Sequence, residues 1–365
     1  MNIAWVIFVT FLIVGIQGYI YNKWGLTRIF YTRSFNEKAV HEGEQVEMID
    51  EIVNKKLLPV PWLRLESKIH THLKFRKEAV TDNEIDGDDF HRTLFSLMPY
   101  QKIKRRQKLT CMKRGYYRYE EVSLSTGDIF GFGSTFRSVP SSAEITVYPK
   151  ITSLNEIPLP AHSWLGDIVV RRWIIDDPFL ISGVRDYSYG DPLNAVNWKA
   201  TARTNRLQVS QKDFTADHHL MLYVNFNQTE DIWLPIVNKE QVELAISYAA
   251  SIAQYAINKG VPTGFGCNSY LNEMKKESIR IPPENSRQQL MYVLETMAKL
   301  KMGTSMSFPF FLQEDIDRGL VGADILIITS IVTEKMNDHI RSLEAQGNAI
   351  EILNLEELTS HAKAN

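Results

Sequence analysis

The fold is indicated first by residues 219–226, with the sequence HLMLYVNF, which form an apolar run of strand length. The period then changes, because residues 240–258 have helical spacing and Gly260 follows as a stop signal; the predicted apolar face carries Leu244, Tyr248, Ile252 and Tyr255. Further strands are predicted at 263–267, 323–329 and 349–353, and further helices at 287–301 and 333–345. Strands that alternate with helices predict an α/β domain over residues 215–365, with a parallel sheet covered on both faces.

The stretch from residue 35 to residue 149 has the pattern of β-structure. Apolar and acidic residues mix over a strand length in 46–53, and residues 62–66, 117–119 and 122–124 alternate in the same way. Such segments, separated by polar turns, predict an antiparallel β-sandwich domain at 35–149. Residues 150–214 are irregular and rich in Pro, Trp and Asp, and we interpret them as a connecting region.

The N-terminal segment is apolar from Ile3 to Tyr21 except for Gln17. About 20 helical residues cross a hydrocarbon core of about 30 Å, so residues 1–24 are predicted to form a membrane anchor. A cleaved signal peptide is the rival interpretation, but the segment lacks both a basic start and a small-residue cleavage site. Basic residues follow the helix at Lys23, Arg28 and Arg33, and by the positive-inside rule the large C-terminal part then faces the cytoplasm of a plasma membrane crossed once.

The composition excludes several classes of protein. The 365 residues are 44% hydrophobic and 23% charged, as in folded globular chains. A net charge of −2 argues against general electrostatic binding of nucleic acid. The two cysteines, Cys111 and Cys267, lie far apart, which excludes a disulfide framework and a thiolate zinc site and agrees with a reducing compartment. The chain has neither a Gly-x-Ser-x-Gly elbow nor a phosphate-binding loop, so we assign no catalytic residue, cofactor or metal.

Two charged segments invite a functional interpretation. Residues 82–88 resemble a calcium loop, but Thr93 stands where the bidentate Glu is required, so an acidic turn is favoured. Residues 101–118 hold eight basic and no acidic side chains, at Lys102, Lys104, Arg105, Arg106, Lys108, Lys113, Arg114 and Arg118. This basic run favours the solvent face of a hairpin, with an anionic lipid surface as the next interpretation.

The densest concentration of charged, aromatic and turn residues lies in 183–192 and 196–203. A recognition surface built on the turn at Gly190 and Asp191 is one interpretation, in which Trp198 is a buried support and other side chains bind a partner. The candidate partner-binding residues are Arg185, Asp186, Tyr187, Gly190, Asp191, Trp198, Lys199 and Arg203. An inter-domain ion-pair network of the same charges is the alternative, and the sequence does not separate the two.

This run resembles the signature of the DUF58 family of bacterial proteins, which is Arg-Glu-Tyr-x-x-Gly-Asp, then Ile-Asp-Trp-Lys-x-x-Ala-Arg, then Leu-x-Val. Here the corresponding segments are residues 185–191, 196–203 and 207–209. Further agreement lies in residues 42–44, 54–62, 114–117 and 126–131, so that the resemblance extends over nearly the whole chain. Two departures stand out: Asp186 replaces the usual Glu, and Asn197 replaces the usual Asp.

The resemblance implies a multidomain protein with an N-terminal transmembrane helix, an antiparallel β-sandwich and an α/β von Willebrand factor A-like (Rossmann-type) domain. It also implies association with a MoxR-type AAA+ ATPase and with a membrane protein that has a transglutaminase-like domain. These associations suggest adaptor work rather than a particular reaction.

Domains of the von Willebrand type hold magnesium through an Asp-x-Ser-x-Ser sequence after the first strand. The matching positions here are Asn225, Asn227 and Thr229, and Ser330 stands where a later strand would present an Asp. Because magnesium is usually held through one or two carboxylates, these positions predict a degenerate site without metal. The loops at Asn225 and Ser330 still lie at the carboxyl ends of strands, where open α/β sheets bind ligands.

Two functional hypotheses follow from the sequence. In the first, the protein is a non-enzymatic interaction or adaptor protein at the inner face of the plasma membrane. In the second, it is a hydrolase or transferase that uses the carboxylates of Asp186 and Asp191 in an unrecognised site.

Overall fold

The structure is a computed structural model that describes residues 3–75, 90–128, 133–158, 176–187, 196–204, 206–214, 219–229, 235–271 and 274–356. The chain divides into two compact units, the first Met1–Ile151 with Leu294–Lys299, the second Thr152–Val293 with Leu300–Asn365. The acidic turn at 82–88 and the signature residues Gly190 and Asp191 lie outside the described residues.

Helix α1, Ile3–Trp24, begins the first unit, and its apolar side chains are exposed over most of its length. The 20 residues from Trp5 to Trp24 are long and apolar enough to cross a membrane, by length and composition. The helix ends at Trp24, the predicted end of the anchor, three residues beyond the last residue of the apolar run, Tyr21. Tyr21 itself is buried, and Gly25 bonds back to its carbonyl oxygen at 2.7 Å.

The first unit contains two sheets. Strands β1 (Ile29–Phe35), β3 (Gln45–Asn54), β7 (Lys102–Cys111) and β5 (Leu73–Phe75) form one sheet, in that order. The other sheet has the order β2 (Ala39–His41), β9 (Ser134–Tyr148), β8 (Gly115–Gly127), β4 (Val60–Lys68) and β6 (Phe90–Leu97). All pairs in both sheets are antiparallel except β2 with β9.

Alternate side chains along the strands point inward and fill the core of the first unit. In β3 every second residue is buried, so that Val46, Met48 and Ile52 point inward. Met48 packs in one cluster with Leu109 of β7 and Tyr119 of β8, which come from different sheets. The predicted strand at 46–53 is therefore confirmed, and apolar side chains from both sheets share the same core.

The predicted hairpin of the basic run is wrong, because β7 and β8 lie in different sheets. The connection at 112–114 crosses from one sheet to the other, since the inward residues of both strands join a single apolar cluster. On the outer face of β7, Lys102 pairs with Glu51 at 2.6 Å and Arg106 approaches Glu47 at 3.9 Å. The basic charges of β7 are thus balanced in part by the acidic residues of β3.

The second unit begins with a short 3₁₀ turn, Leu154–Glu156, and a two-stranded antiparallel sheet. Its strands are β10 (Asp176–Asp186) and β11 (Gln208–Phe214), and helix α2 (Trp198–Thr204) lies between them in the chain.

A five-stranded sheet forms the main body of the second unit. Its order is β14 (Ile279–Glu284), β13 (Thr263–Cys267), β12 (His219–Val224), β15 (Ala323–Thr329) and β16 (Ala349–Asn354). Strands β13, β12, β15 and β16 are parallel, as predicted, and β14 is antiparallel at the edge. The helices that lie between these strands in the chain are α3 (Lys239–Asn258), α4 (Arg287–Lys299), α5 (Phe308–Asp317) and α6 (Glu334–Ala345). The second half of α4, Leu294–Lys299, belongs to the first unit.

Local sequence explains where these helices start and stop. Asn238 caps α3 by accepting a hydrogen bond from the Gln241 amide, and Thr333 caps α6 through the Met336 amide. Gly260 and Gly347 follow α3 and α6 with φ of +90° and +94°, which favours glycine. The predicted apolar face of α3 is only partly correct, since Leu244 is exposed while most of the helix is buried.

Close packing of α5 on the sheet requires a glycine in β13. A Cβ atom at Gly266 would lie 2.8 Å from the Tyr223 ring and 3.0 Å from the Phe311 ring. The Phe311 ring stacks on Phe308 and meets Tyr223 edge-on, so that α5 closes one face of the sheet. The N-terminus of α5 is thereby placed beside the carboxyl ends of the strands.

Candidate functional site

The candidate site lies at the carboxyl edge of the parallel sheet. Strands β12 and β15 are neighbours in register, with Val224 opposite Ile328, so the residues that follow each strand meet at one edge. Asn225 follows β12 directly and Asn268 follows β13. Both asparagines are buried, as is Asn227.

These asparagines hold the edge together through their side chains. The Asn225 amide nitrogen donates to Thr329 Oγ1 at 2.9 Å, and Asn225 Oδ1 accepts from the Asn227 backbone at 2.9 Å. Asn227 Oδ1 accepts from Asn268 Nδ2 at 2.6 Å and from the Phe308 backbone at 3.0 Å. Asn227 therefore joins the loop after β12 to the loop after β13 and to the first residue of α5.

A cavity of about 340 Å³ opens beside this network. Its polar wall includes Asn225, Asn227 and Thr229, three of the four positions that the sequence singled out. The other walls are the first residues of α5 and the loop and first turn of α6, namely Ser307, Phe308, Pro309, Ile331, Thr333, Glu334, Lys335 and Met336. Ser330, the fourth position, is buried and does not line the cavity.

Two helix N-termini therefore face one cavity, together with the side chains of Glu334 and Lys335. Helix N-termini carry partial positive charge, and α5 and α6 have 10 and 12 residues. The Phe308 amide of α5 and the Met336 amide of α6 are already bonded to Asn227 and Thr333. The neighbouring asparagine and threonine side chains are neutral hydrogen-bonding groups. The cavity thus suits a ligand that offers hydrogen-bond acceptors, and its neutral wall offers no nucleophile–base pair of the kind used in covalent catalysis.

The residues at this edge do not fit the magnesium site that von Willebrand-type domains hold. The matching positions supply amide and hydroxyl groups where such a site needs carboxylates, and both lone-pair directions of Asn227 Oδ1 are taken by N–H donors. In the part of the chain that the structure describes, no cluster of three or more His, Cys, Asp or Glu side chains could hold a metal ion. We derive no step through a metal here.

The DUF58-like signature lies on β10, α2 and β11. Arg185 and Asp186 end β10 opposite Val209 and Gln208 of β11, and the Asp186 carboxylate accepts a hydrogen bond from the Gln208 side chain. The Tyr187 amide donates to the Leu207 carbonyl at 2.9 Å. These hydrogen bonds hold Asp186 and Tyr187 against β11 and the residue before it.

Asn197 has a clear local function. Its Oδ1 accepts a hydrogen bond from the Ala200 amide at 3.0 Å, which is the N-cap geometry for α2. Thr201 of the same helix accepts from the Gln208 amide at 3.0 Å, which fastens α2 to β11. Since Asn and Asp cap helices equally well, the departure from the family's Asp preserves this function.

The prediction that Trp198 is a buried support is wrong, because its side chain is 68% exposed. Trp198 is the first residue of α2, and none of the seven residues of that short helix is buried, so the helix has no core face to bury a ring. Lys199 and Arg203 are also exposed and lie four residues apart on the same helix. Exposed Trp and Arg side chains are typical of partner-binding surfaces.

Sequence reasoning did not identify Asn268 or the first turns of α5 and α6 as parts of the site. A signal for Asn268 was present, because an Asn stands directly after both β12 and β13. Ser307 and Lys335 reach the cavity because helices α5 and α6 pack against the sheet. No local sequence pattern predicts that packing.

These features define a class of protein: a chain with an N-terminal apolar helix, a sheet-rich first unit and an α/β second unit with a polar cavity at the carboxyl edge of its sheet. The sequence profile of the family described as "Protein of unknown function DUF58" matches residues 183–358. The chain is also 20% identical to "Uncharacterized protein YeaD" of Bacillus subtilis (strain 168) over 335 residues, which are 92% of this chain and 78% of that protein. The resemblance to DUF58 is thus confirmed for the second unit from β10 onward.

Solved structures resemble smaller parts of the chain. A non-cellulosomal cohesin from Archaeoglobus fulgidus has 11% identity and a TM-score of 0.20, covering 32% of this chain and 90% of its own. The seventh ScaB type I cohesin from Pseudobacteroides cellulosolvens has 16% identity and a TM-score of 0.22, covering 37% of this chain and 98% of its own. Scores this low support no conclusion about function.

Proposed function

We propose that this protein is a membrane-anchored adaptor that binds a protein partner at the cavity on the carboxyl edge of the second unit's sheet. In this proposal the two sheets of the first unit form a β-sandwich that acts as a rigid spacer. The second unit is a von Willebrand factor A-like domain whose ligand edge has lost its metal ligands.

The cavity is the observation that carries the proposal. Its asparagine network is buried and fully built, yet the cavity itself is open to a ligand at the edge where open α/β sheets bind one. Helix N-termini, amides, hydroxyls and the Lys335 ammonium offer hydrogen-bond donors, beside the acceptor carboxylate of Glu334. An acidic or acceptor-rich segment of a partner protein fits this chemistry.

The partner we propose is a MoxR-type AAA+ ATPase, since DUF58 resemblance carries that association. A transglutaminase-like membrane protein is the second partner that the same association suggests. Helix α1 supports the membrane part of the proposal by its length and apolar surface. With Lys23 in the last turn of α1 and Arg28 beyond it, both units face the cytoplasm of a plasma membrane crossed once.

The enzymatic alternative has no observation in its favour. The Asp186 carboxylate accepts a hydrogen bond from Gln208 within a strand pair, and Asp191 lies outside the described residues. We therefore do not propose a hydrolase or transferase.

The test is the binding of the detergent-solubilised full chain to the purified MoxR-type ATPase of the same organism, with and without ATP. Lys335→Glu reverses a charge in the cavity wall. Arg287→Glu is the matched control, since Arg287 is also an exposed basic residue in the first turn of a helix. It follows β14, whose last residue Glu284 pairs with Thr263 at the amino edge of the sheet, opposite the cavity.

We expect Lys335→Glu to weaken binding at least tenfold, about 1.4 kcal/mol, while Arg287→Glu binds as the wild type does. Trp198→Ala forms a third arm that reports on the signature surface. Equal binding by all variants would place the partner elsewhere on the chain, and no binding by the wild type would refute the ATPase as partner.

A further inference from the structure

Three loops meet where helix α1 joins the first unit. They are residues 24–28, 54–58 and 98–101, and we call them the basal loops. The Lys56 ammonium donates to the Trp24 carbonyl at 2.6 Å and to the Gly25 carbonyl as well, so it caps the C-terminus of α1. The Lys55 amide donates to the Arg28 carbonyl at 3.0 Å.

A buried asparagine joins the second and third basal loops. The Asn54 side chain donates to the Leu58 carbonyl at 3.1 Å and to the Met98 carbonyl at 2.9 Å. The Tyr100 amide donates to the Lys56 carbonyl at 3.3 Å. All three loops are therefore fixed relative to the end of α1, within one unit of the structure.

The tips of these loops expose large apolar side chains. Leu57 is 74% exposed, Met98 is 65% exposed and Tyr100 is 69% exposed. A single exposed leucine needs no explanation, but here three such residues lie on loops that are hydrogen-bonded to one another. Trp24 and Phe30, beside them in the chain, are exposed as well.

Backbone strain is concentrated in the same loops. Arg28 has φ of +53° and Tyr100 has φ of +55°, and in the part of the chain that the structure describes these are the two non-glycine residues with positive φ. This left-handed conformation is unfavourable for a residue with a side chain, because Cβ comes close to the following carbonyl oxygen. Residues with strained backbone conformations cluster at functional sites, such as ligand-binding regions.

All charged side chains of the basal loops are basic. Their sequences contain Arg28, Lys55 and Lys56 and no acidic residue, and Lys23 precedes them. The ammonium groups of Lys23 and Lys55 lie over the rings of Trp24 and Phe30, at 5.4 and 4.8 Å from the ring centroids. Basic side chains among exposed aromatic and aliphatic ones are typical of surfaces that enter the interface of an anionic bilayer.

We propose that the basal loops insert into the headgroup region of the bilayer that α1 spans, with Leu57, Met98 and Tyr100 as the inserted side chains. Lys23, Arg28 and Lys55 then meet anionic headgroups. The inference rests on the proposed membrane anchoring by α1 and goes beyond it. The basal loops then give the first unit a second contact with the membrane. This contact fixes the tilt of the first unit relative to the bilayer, so that the unit does not move freely on α1.

The experiment is nitroxide accessibility on the full-length protein in vesicles of phosphatidylcholine and phosphatidylglycerol. Cys111 and Cys267 are fully buried, so a thiol-reactive label reaches introduced cysteines selectively. Labels are placed at Leu57→Cys and Met98→Cys. Gln45→Cys is the control, because Gln45 is exposed at the other end of the strand that leads to Asn54, about 30 Å away.

A label at Leu12→Cys, exposed in the middle of α1, reports on the anchor itself. We expect the labels at 57 and 98 to collide severalfold less often with a water-soluble nickel chelate than the label at 45 does. Equal collision rates at 57, 98 and 45, with the label at 12 in hydrocarbon, would overturn this inference and leave the anchor intact. An aqueous label at 12 would overturn both.

Discussion

At the residue scale, a buried ion pair dominates the interior of the first unit. Arg33 Nε lies 2.8 Å from Asp50 Oδ1, and the guanidinium also donates to Ser67 Oγ at 2.9 Å. Tyr31 donates to the same Asp50 oxygen, and all four residues are buried. Arg33, which the sequence analysis counted in the basic flank of α1, is therefore a core residue of the folded unit.

Removing one member of this pair leaves the other charge buried without its partner. We expect Arg33→Met to lower the free energy of unfolding of the first unit by about 3–5 kcal/mol. The exposed pair of Arg64 with Glu66 is the matched control, and Arg64→Met should cost less than about 1 kcal/mol. Urea unfolding of the full chain measures both, and equal losses in the two variants would contradict the prediction.

His91 makes the stability of the first unit depend on pH. Burial, with a smaller effect of Arg33, lowers its pKa from 6.5 to about 4. The unfolded imidazole takes up a proton below about pH 6.5 while the folded one does not, so the folded state loses stability as the pH falls from 6.5 towards 4. The full loss is about 3 kcal/mol.

We expect His91→Gln to lose stability less steeply than the wild type between pH 6.5 and pH 4, as measured by urea unfolding. His70→Gln is the matched control, because it makes the same replacement at an exposed histidine of the same unit. A His91→Gln protein with the wild-type slope would show that another group is responsible.

At the element scale, helix α2 depends on its cap. Asn197→Ala removes the acceptor for the Ala200 amide and should destabilise the helix by about 1 kcal/mol, which speeds hydrogen exchange at that amide about fivefold. Asn197→Asp keeps an acceptor and should exchange as the wild type does. If Asn197→Asp were as fast as Asn197→Ala, capping would not explain the residue at this position.

The sequence predicted those elements whose periodicity is long or strong, such as β3, α3 and β15. It missed α5, although Pro309 in the first turn of that helix is a start signal, and it missed β14 because Pro282 and Pro283 argue against a strand. An edge strand tolerates prolines where its outer side needs no ladder hydrogen bonds. Only the tertiary position of β14 makes that visible.

The candidate site was predictable in part. Positions 225, 227 and 229 were singled out by the resemblance to von Willebrand-type domains, and the cavity does form beside them. The burial of Trp198 was predicted wrongly, because only the surrounding structure determines whether a ring at the start of a short helix is buried or exposed. The cavity walls from α5 and α6 are brought in by contacts distant in sequence.

At the scale of the whole molecule, the proposed anchoring by α1 predicts that the C-terminal end lies on the cytoplasmic side of a membrane. A fluorescent protein fused to the C-terminus should fluoresce, and alkaline phosphatase fused there should be inactive, because the positive-inside rule keeps that end in the cytoplasm. The same fusions to a chain lacking residues 3–24 serve as the cytoplasmic control. An active phosphatase on the full chain would reverse the orientation.

The most direct test of the central claim is hydrogen exchange of the full chain with and without the purified MoxR-type ATPase. The account predicts that binding slows exchange in three separate segments that the cavity brings together, namely residues 225–229, 305–311 and 331–337. Exchange at the amino edge of the sheet, around Arg287, should not change. A complex in which those three segments exchange as they do in the free protein would contradict the account.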